Sequence, residues 1–161
     1  FVAVLGGGML AIEPPVVPEA NQSYWMVAAG TNDEKKAPVG QDGFVDLEVH
    51  PAQEWFWGFK PVYAAGVSVD GAAYGSVGVR KDYRWGKFQL TPFIGPALYQ
   101  QDLSGSFESK QLLQFRSGFN VSVDITPDAR LGLGLYHISN AQITKQSADI
   151  DVTRVTLQIR Y

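Results

Sequence analysis

The stretch Leu131-Gly-Leu-Gly-Leu-Tyr-His-Ile-Ser-Asn-Ala141 runs an alternating apolar stripe directly into a histidine and a serine. Residues two apart share a face of an extended strand, so Leu131, Leu133, Leu135, His137 and Ser139 point the same way. Downstream, the same parity puts Asp151, Thr153, Val155, Leu157, Ile159 and Tyr161 on one face of a second strand. A hairpin of the two would assemble what acyl transfer needs. Ser139 would attack a carbonyl carbon, His137 would take its proton and pass it to the leaving alcohol, and Asp151 would orient the imidazole and stabilise the imidazolium. A register with Ser139 near Asp151 and His137 near Thr153 sets facing Cβ atoms about 4.5–5.5 Å apart. Asn140, beside the nucleophile, carries an amide suited to a developing oxyanion, a donor worth about 10²–10³ in rate in comparable sites.

Each of these residues also has a plainer reading. His-x-Ser is common on strands, Asp151 at a strand start can cap a turn, and Asn140 can serve the same loop. The conjunction carries the argument: three catalytic residue types stand on an otherwise apolar face, where polar groups are costly to hold against lipid.

The elements that must position this set are strands. Two-residue periodicity dominates from Tyr24 onward, and no long window holds the i, i+3, i+4, i+7 pattern of an amphipathic helix. Strands are expected over residues 24–30, 43–50, 59–70, 73–85, 88–101, 112–125, 131–141 and 151–161. Turn chemistry such as Asp70-Gly71, Trp85-Gly86-Lys87 and Thr126-Pro-Asp128 separates them. Eight strands suit the smallest common membrane barrel.

The placement of charge says which face is inside. Along the sixth strand Leu113, Phe115, Phe119, Val121, Val123 and Ile125 oppose Gln114, Arg116, Gly118, Asn120, Ser122 and Asp124. The fourth sets Val77, Val79, Tyr83 and Trp85 against Ser76, Arg80, Asp82 and Arg84, and the last sets Val155, Leu157, Ile159 and Tyr161 against Arg154, Thr156, Gln158 and Arg160. A charge-paired interior under an apolar exterior is the arrangement lipid demands, with a closed ladder satisfying every backbone group. Trp25, Trp55, Trp57, Trp85 and Tyr161, near strand ends, fit interfacial girdles. An ordinary sandwich with one wet face alternates too, and a soluble lipid-binding barrel would need an apolar lumen that leaves Arg80, Arg116 and Arg154 outside.

Composition narrows the chemistry. At 161 residues the chain suits one domain, here residues 21–161, with residues 1–20 read as the remnant of an export signal or an N-terminal arm. A net charge of −3 lacks the basic excess of a nucleic-acid binder, so no nucleic acid is expected as partner. No cysteine means neither disulfide nor thiolate, and two histidines, His50 and His137, cannot build a Cys/His zinc cluster. His50 is read as an interior or rim residue. No clustered carboxylates demand calcium, so no metal and no cofactor are expected. Mean hydropathy is only −0.07, as alternating strands average out.

Tyr136-His-Ile-Ser-Asn-Ala141 followed by Asp151 resembles the His-x-Ser-Asn signature of the lipid A 3-O-deacylases, eight-stranded outer-membrane barrels whose active site faces the membrane. The likeness is sharp over residues 131–161 and extends by strand pattern over 44–125; the aromatic Tyr161 closing an alternating strand also resembles the last strand of outer-membrane proteins. It implies that His137 and Ser139 are catalytic, that Asp151 completes the triad and that Asn140 serves the oxyanion hole. Implied too are hydrolysis of the ester-linked 3-hydroxyacyl chain of lipid A, a serine esterase without cofactor, and an outer-membrane location among membrane lipids. A homodimer is compatible with the reading. One departure is that family members carry Glu where this chain has Asp151. The rival from another class is a non-catalytic structural or adhesion barrel that meets partners through the loops around residues 30–43 and 103–110.

Overall fold

Apolar β-branched and aromatic residues at alternate positions make pleated strands with one greasy and one polar face. The computed structural model describes residues 2–5, 8–11, 22–34, 41–100, 113–140 and 150–161. The strands are β1 (Tyr24–Glu34), β2 (Gln41–His50), β3 (Lys60–Ser68), β4 (Ala73–Arg80, resuming as Tyr83–Trp85), β5 (Phe88–Gln100), β6 (Leu113–Thr126), β7 (Ala129–Ser139) and β8 (Ile150–Arg160). Val2–Leu5 and Gly8–Ala11 pair in a separate two-stranded sheet, so neither adds a strand to the barrel. The loop at residues 103–110 lies outside the described residues, as do 12–21.

Every strand pairs antiparallel with its sequence neighbours, and β8 pairs with β1, which closes the ring. β4 counts as one strand. Its ladder lapses at Lys81 and Asp82 because Pro92, on the facing strand, has no N–H to give, yet the partners Arg80↔Phe93 and Tyr83↔Leu90 keep one register across the gap. Successive partners Tyr74, Gly66, Asp46, Ala28, Thr156, Gly132, Ser122, Gln89 and Arg84 lead once round the ring. The circuit starts at residue 74 and ends at residue 84 of the same strand, a stagger of ten (84 − 74 = 10). Such a stagger tilts the strands and sets a lumen that side chains can fill.

Charge fills that lumen. Glu48 accepts from Arg116 and, at 2.5 Å, from Arg154, and lies 2.7 Å from His50 Nε2. Asp46 takes Arg154 at 2.9 Å and the hydroxyls of Tyr74 and Tyr136 at 2.8 and 3.1 Å. The Arg116 guanidinium sits 4.3 Å from the ring centroids of both Phe93 and Tyr136. A second layer joins Asp82 to Arg80 and Lys60, and Asp124 to Arg84 and Arg130. His50 is thus an interior residue, as expected. Gly134 makes room for this packing: a Cβ there would lie 2.2 Å from Asn120 Oδ1 and 2.8 Å from Arg154 Nε.

Outside, the stripe is apolar. On β6, Leu113 is 60% exposed and Ile125 55%, whereas Gln114 and Arg116 are buried. The alternation therefore assigned both faces correctly.

Boundaries moved where turns competed with strands. β3 stops at Ser68 because Val69, Asp70 and Gly71 make the turn, where the Ser68 hydroxyl accepts from Ala72 N at 3.0 Å. Phe59 lies outside β3, bridged to Phe56. β1 runs on to Glu34, and β7 ends at Ser139. The termini of β1 and β8 share one rim with the tight turns at Gly86-Lys87 and Pro127-Asp128, here called the turn rim. At the opposite rim, here called the loop rim, β1, β3, β5 and β7 end and β2, β4, β6 and β8 begin, with the tight turn between Ser68 and Ala73 among them. Trp25, Trp55, Trp57, Trp85 and Tyr161 all belong to the turn rim, so they form one girdle rather than two.

Candidate active site

β7 and β8 bring His137 and Asp151 together near the loop rim, on the outer face. The two residues are direct cross-strand partners, and His137 Nδ1 lies 2.7 Å from Asp151 Oδ1. An ionised carboxylate can only accept, so Nδ1 carries a proton in this pair. His137 and Asp151 side chains are 34% and 50% exposed, on a surface that carries Leu133, Leu135 and Val155 below them.

The expected register differs by two residues: Thr153 faces Leu135, not His137. A slip of two keeps every side chain on its own face, so parity alone could not distinguish the two pairings. The observed one suits the shorter acid. Direct partners are the closest pairs on a sheet face, and aspartate spans the gap without the extra methylene.

Ser139 follows two residues on, on the same face and half-buried, with Phe115 as its partner on β6. One pleat repeat, roughly 6.8 Å, separates its Cα from that of His137. Asn140 comes directly after β7 and is buried, in contrast to Ser139. His137, Ser139 and Asp151 thus share one outward patch, while Asn140 sits at its edge beneath the surface.

Ser117 was not among the expected site residues. It is the direct partner of His137 on β6, on the side opposite Asp151. The signal was present: Ser117 is the one polar residue in the outward stripe from Leu113 to Ile125. Further along the same face Phe88, Val121, Val123, Leu131, Leu133 and Val155 line an apolar groove. Among the described residues no cluster of three or more His, Cys, Asp or Glu side chains is arranged to hold a metal ion.

The family model described as Lipid A 3-O-deacylase (PagL) matches residues 40–160, three quarters of the chain and all of the site. The chain belongs to the PagL family. Among curated proteins none matches. The crystal structure of the outer membrane enzyme PagL superposes on this PagL-family barrel with a TM-score of 0.58 at 15% identity, covering 84% of this chain and 98% of that one. Neisserial surface protein A gives 0.57 at 11% identity, covering 88% and 97%. A de novo designed transmembrane β-barrel gives 0.61 at 10% identity, covering 89% and 98%. At these identities the superpositions speak for the fold alone, since a designed barrel fits as well as an enzyme. The fold and the family place this PagL-family protein in the bacterial outer membrane.

Proposed function

We propose that this barrel is a lipid A 3-O-deacylase that works through Ser139, His137 and Asp151. The observation that carries the reading is the His137–Asp151 bond on the membrane-facing surface, with Ser139 two residues on, inside the segment that the family model matches. Ser139 Oγ attacks the carbonyl carbon of the ester at position 3 of the lipid A glucosamine as its proton moves to His137 Nε2. Asp151 holds the resulting imidazolium. Collapse of the tetrahedral intermediate releases the sugar hydroxyl, which takes the proton from His137. Water then attacks the acyl-serine by the same route and frees the 3-hydroxy fatty acid. Asn140 would donate to the oxyanion by turning its amide outward at the end of β7. No cofactor enters this scheme.

Two features favour this substrate. In outer-membrane barrels short turns face the periplasm and long loops face outward, so a site near the loop rim lies at the level of the outer leaflet, where lipopolysaccharide resides. The apolar groove beyond Leu133 lets an acyl chain lie along the barrel without leaving the membrane, so little is lost in orienting it.

The test is incubation of the detergent-refolded protein and its Ser139→Ala variant with lipid A, followed by mass spectrometry. Loss of one 3-hydroxyacyl chain with the parent alone supports the esterase and its nucleophile. No loss from either folded protein favours the structural or adhesion barrel.

A further inference from the structure

The turn rim carries a second polar feature on the membrane face, far from His137. Six of the arginine and lysine residues that line the lumen have carboxylate partners there: Lys60, Arg80, Arg84, Arg116, Arg130 and Arg154. Lys81 points the other way. It follows the interior Arg80 in β4 and so takes the outward parity of Val79 and Tyr83, and none of the ion pairs among the described residues involves it.

What Lys81 meets is a ring of aromatics. Its Nζ lies 5.3 Å from the Phe59 ring centroid and 6.0 Å from that of Tyr83, and donates to the Trp57 carbonyl at 3.2 Å. The connection that brings these groups in is a built turn. Trp55 N donates to Phe59 O and Phe59 N to Phe56 O, both at 2.8 Å, and the Glu54 carboxylate accepts from Gly58 N at 2.7 Å. Trp57 adopts φ 48°, which a bulky residue takes only where its surroundings hold it. Gly58 follows at φ 78°, and a Cβ there would lie 3.3 Å from Lys81 Cε.

This turn presents apolar surface rather than hiding it. Trp57 is 84% exposed, and Trp55 and Phe56 are about half exposed. They continue the lipid-facing girdle of Trp25, Trp85 and Tyr161 on the same rim. An ammonium has three N–H donors, and among the described residues those of Lys81 meet one acceptor, Trp57 O. A cation at a membrane interface with donors to spare and tryptophans on its flank matches a phosphate group with glycerol and acyl chains beneath it. By the rule that the short turns of outer-membrane barrels face the periplasm, the turn rim lies at the periplasmic leaflet, which is built of phospholipid.

We propose that Lys81, with Phe59, Tyr83 and the Trp55–Trp57 turn, forms a binding site for the headgroup phosphate of an anionic phospholipid in the periplasmic leaflet. The site is independent of the deacylase reading: it uses none of its residues and lies on the opposite rim. Aromatic rings hold the ammonium by its face-on charge attraction, and the phosphate takes the remaining donors.

The experiment uses the full chain refolded into phosphatidylcholine vesicles doped with spin-labelled phosphatidylglycerol, phosphatidylcholine or lipid A. Electron spin resonance reads the fraction of each label immobilised on the barrel. Folding of every variant is checked by the heat-dependent shift in gel mobility that folded barrels show. The expected result is several-fold preference for phosphatidylglycerol over phosphatidylcholine in the parent and in Lys81→Arg, lost in Lys81→Gln and reduced in Trp57→Ala. Lys87→Gln, which removes a charge from the neighbouring turn, should keep the preference. Equal preference in parent and Lys81→Gln overturns the site. So does a Lys81-dependent preference confined to lipid A, which would put this rim in the other leaflet.

Discussion

Asp151 and His137 are direct partners across β7 and β8, and their Oδ1 and Nδ1 atoms are 2.7 Å apart. A carboxylate in that position fixes which nitrogen keeps the proton. Asp151→Asn preserves the shape but can present an amide N–H to Nδ1, which favours the wrong tautomer. We expect kcat to fall by on the order of 10³–10⁴, as for the equivalent change in a serine protease, with the barrel folded as before. Asp151→Glu restores the family's usual acid, and its longer arm must fold back to reach a direct partner. Its rate should stay within about tenfold of the parent, a barrier change of roughly 1.4 kcal/mol. Single-turnover deacylation of lipid A by both variants checks the pair.

Ser117 faces His137 from β6 at the distance of a direct pair, with Cβ atoms about 4.5–5.5 Å apart. That is closer than the roughly 6.8 Å between Cα atoms two apart along a strand, the spacing that separates His137 from Ser139. A serine at this position takes less room beside the imidazole than the apolar residues of the rest of the stripe would. Ser117→Leu, which would complete the apolar stripe of β6, should crowd the imidazole and cut kcat by more than about tenfold. Ser117→Ala should change it by less than that. Steady-state kinetics separates these outcomes: a fall in kcat with KM held marks displacement of the imidazole, and an equal effect of both variants would contradict the steric account.

How far the sequence could carry this follows from the period of the strand. A repeat of two tells which face a residue occupies, and that sufficed for the inverted barrel: Arg116 and Arg154 inside, Leu133 and Val155 outside. The same repeat is silent about a slip of two, which is why His137 was expected opposite Thr153 and stands opposite Asp151. Turn residues were legible as turns, but their competition with strand ends was not, so Val69 and Asp70 left β3. Ser117 was hidden for a different reason. Ser117 itself lies on a strand that neither contains nor follows the His-x-Ser motif, so its polarity in the β6 stripe marks it as unusual without saying that its neighbour is the histidine.

Glu48 holds the centre of the lumen, accepting from two guanidiniums and contacting His50. Glu48→Ala would leave Arg116 and Arg154 both buried and short of a counter-charge. Removing one partner of a buried pair costs about 3–5 kcal/mol, so unfolding in urea should move to markedly lower concentration. Glu48→Gln keeps an acceptor oxygen and should lose less. Since Glu48 faces the lumen and the His137 patch faces outward, the fraction of either variant that folds should deacylate at a rate close to that of the parent.

Two glycines on opposite faces of the barrel wall should respond oppositely to the same added methyl group. Gly134 faces the lumen, and its new Cβ would fall 2.2 Å from Asn120 Oδ1, inside any contact distance, with Arg154 Nε at 2.8 Å. Relief would require the buried Arg154, which donates to Asp46, Glu48 and Asn120, to leave its place. Gly134→Ala should therefore destabilise the barrel by about 1–3 kcal/mol. Gly75 faces outward on β4, where a Cβ meets nothing within 4 Å and φ is not positive. There the methyl group costs no contact and removes freedom from the unfolded chain, so Gly75→Ala should be neutral or stabilise by up to about 1 kcal/mol. Urea unfolding in matched micelles measures both. A loss of stability at Gly75 as large as that at Gly134 would mean that lipid-facing Cβ atoms, not lumen crowding, limit this barrel.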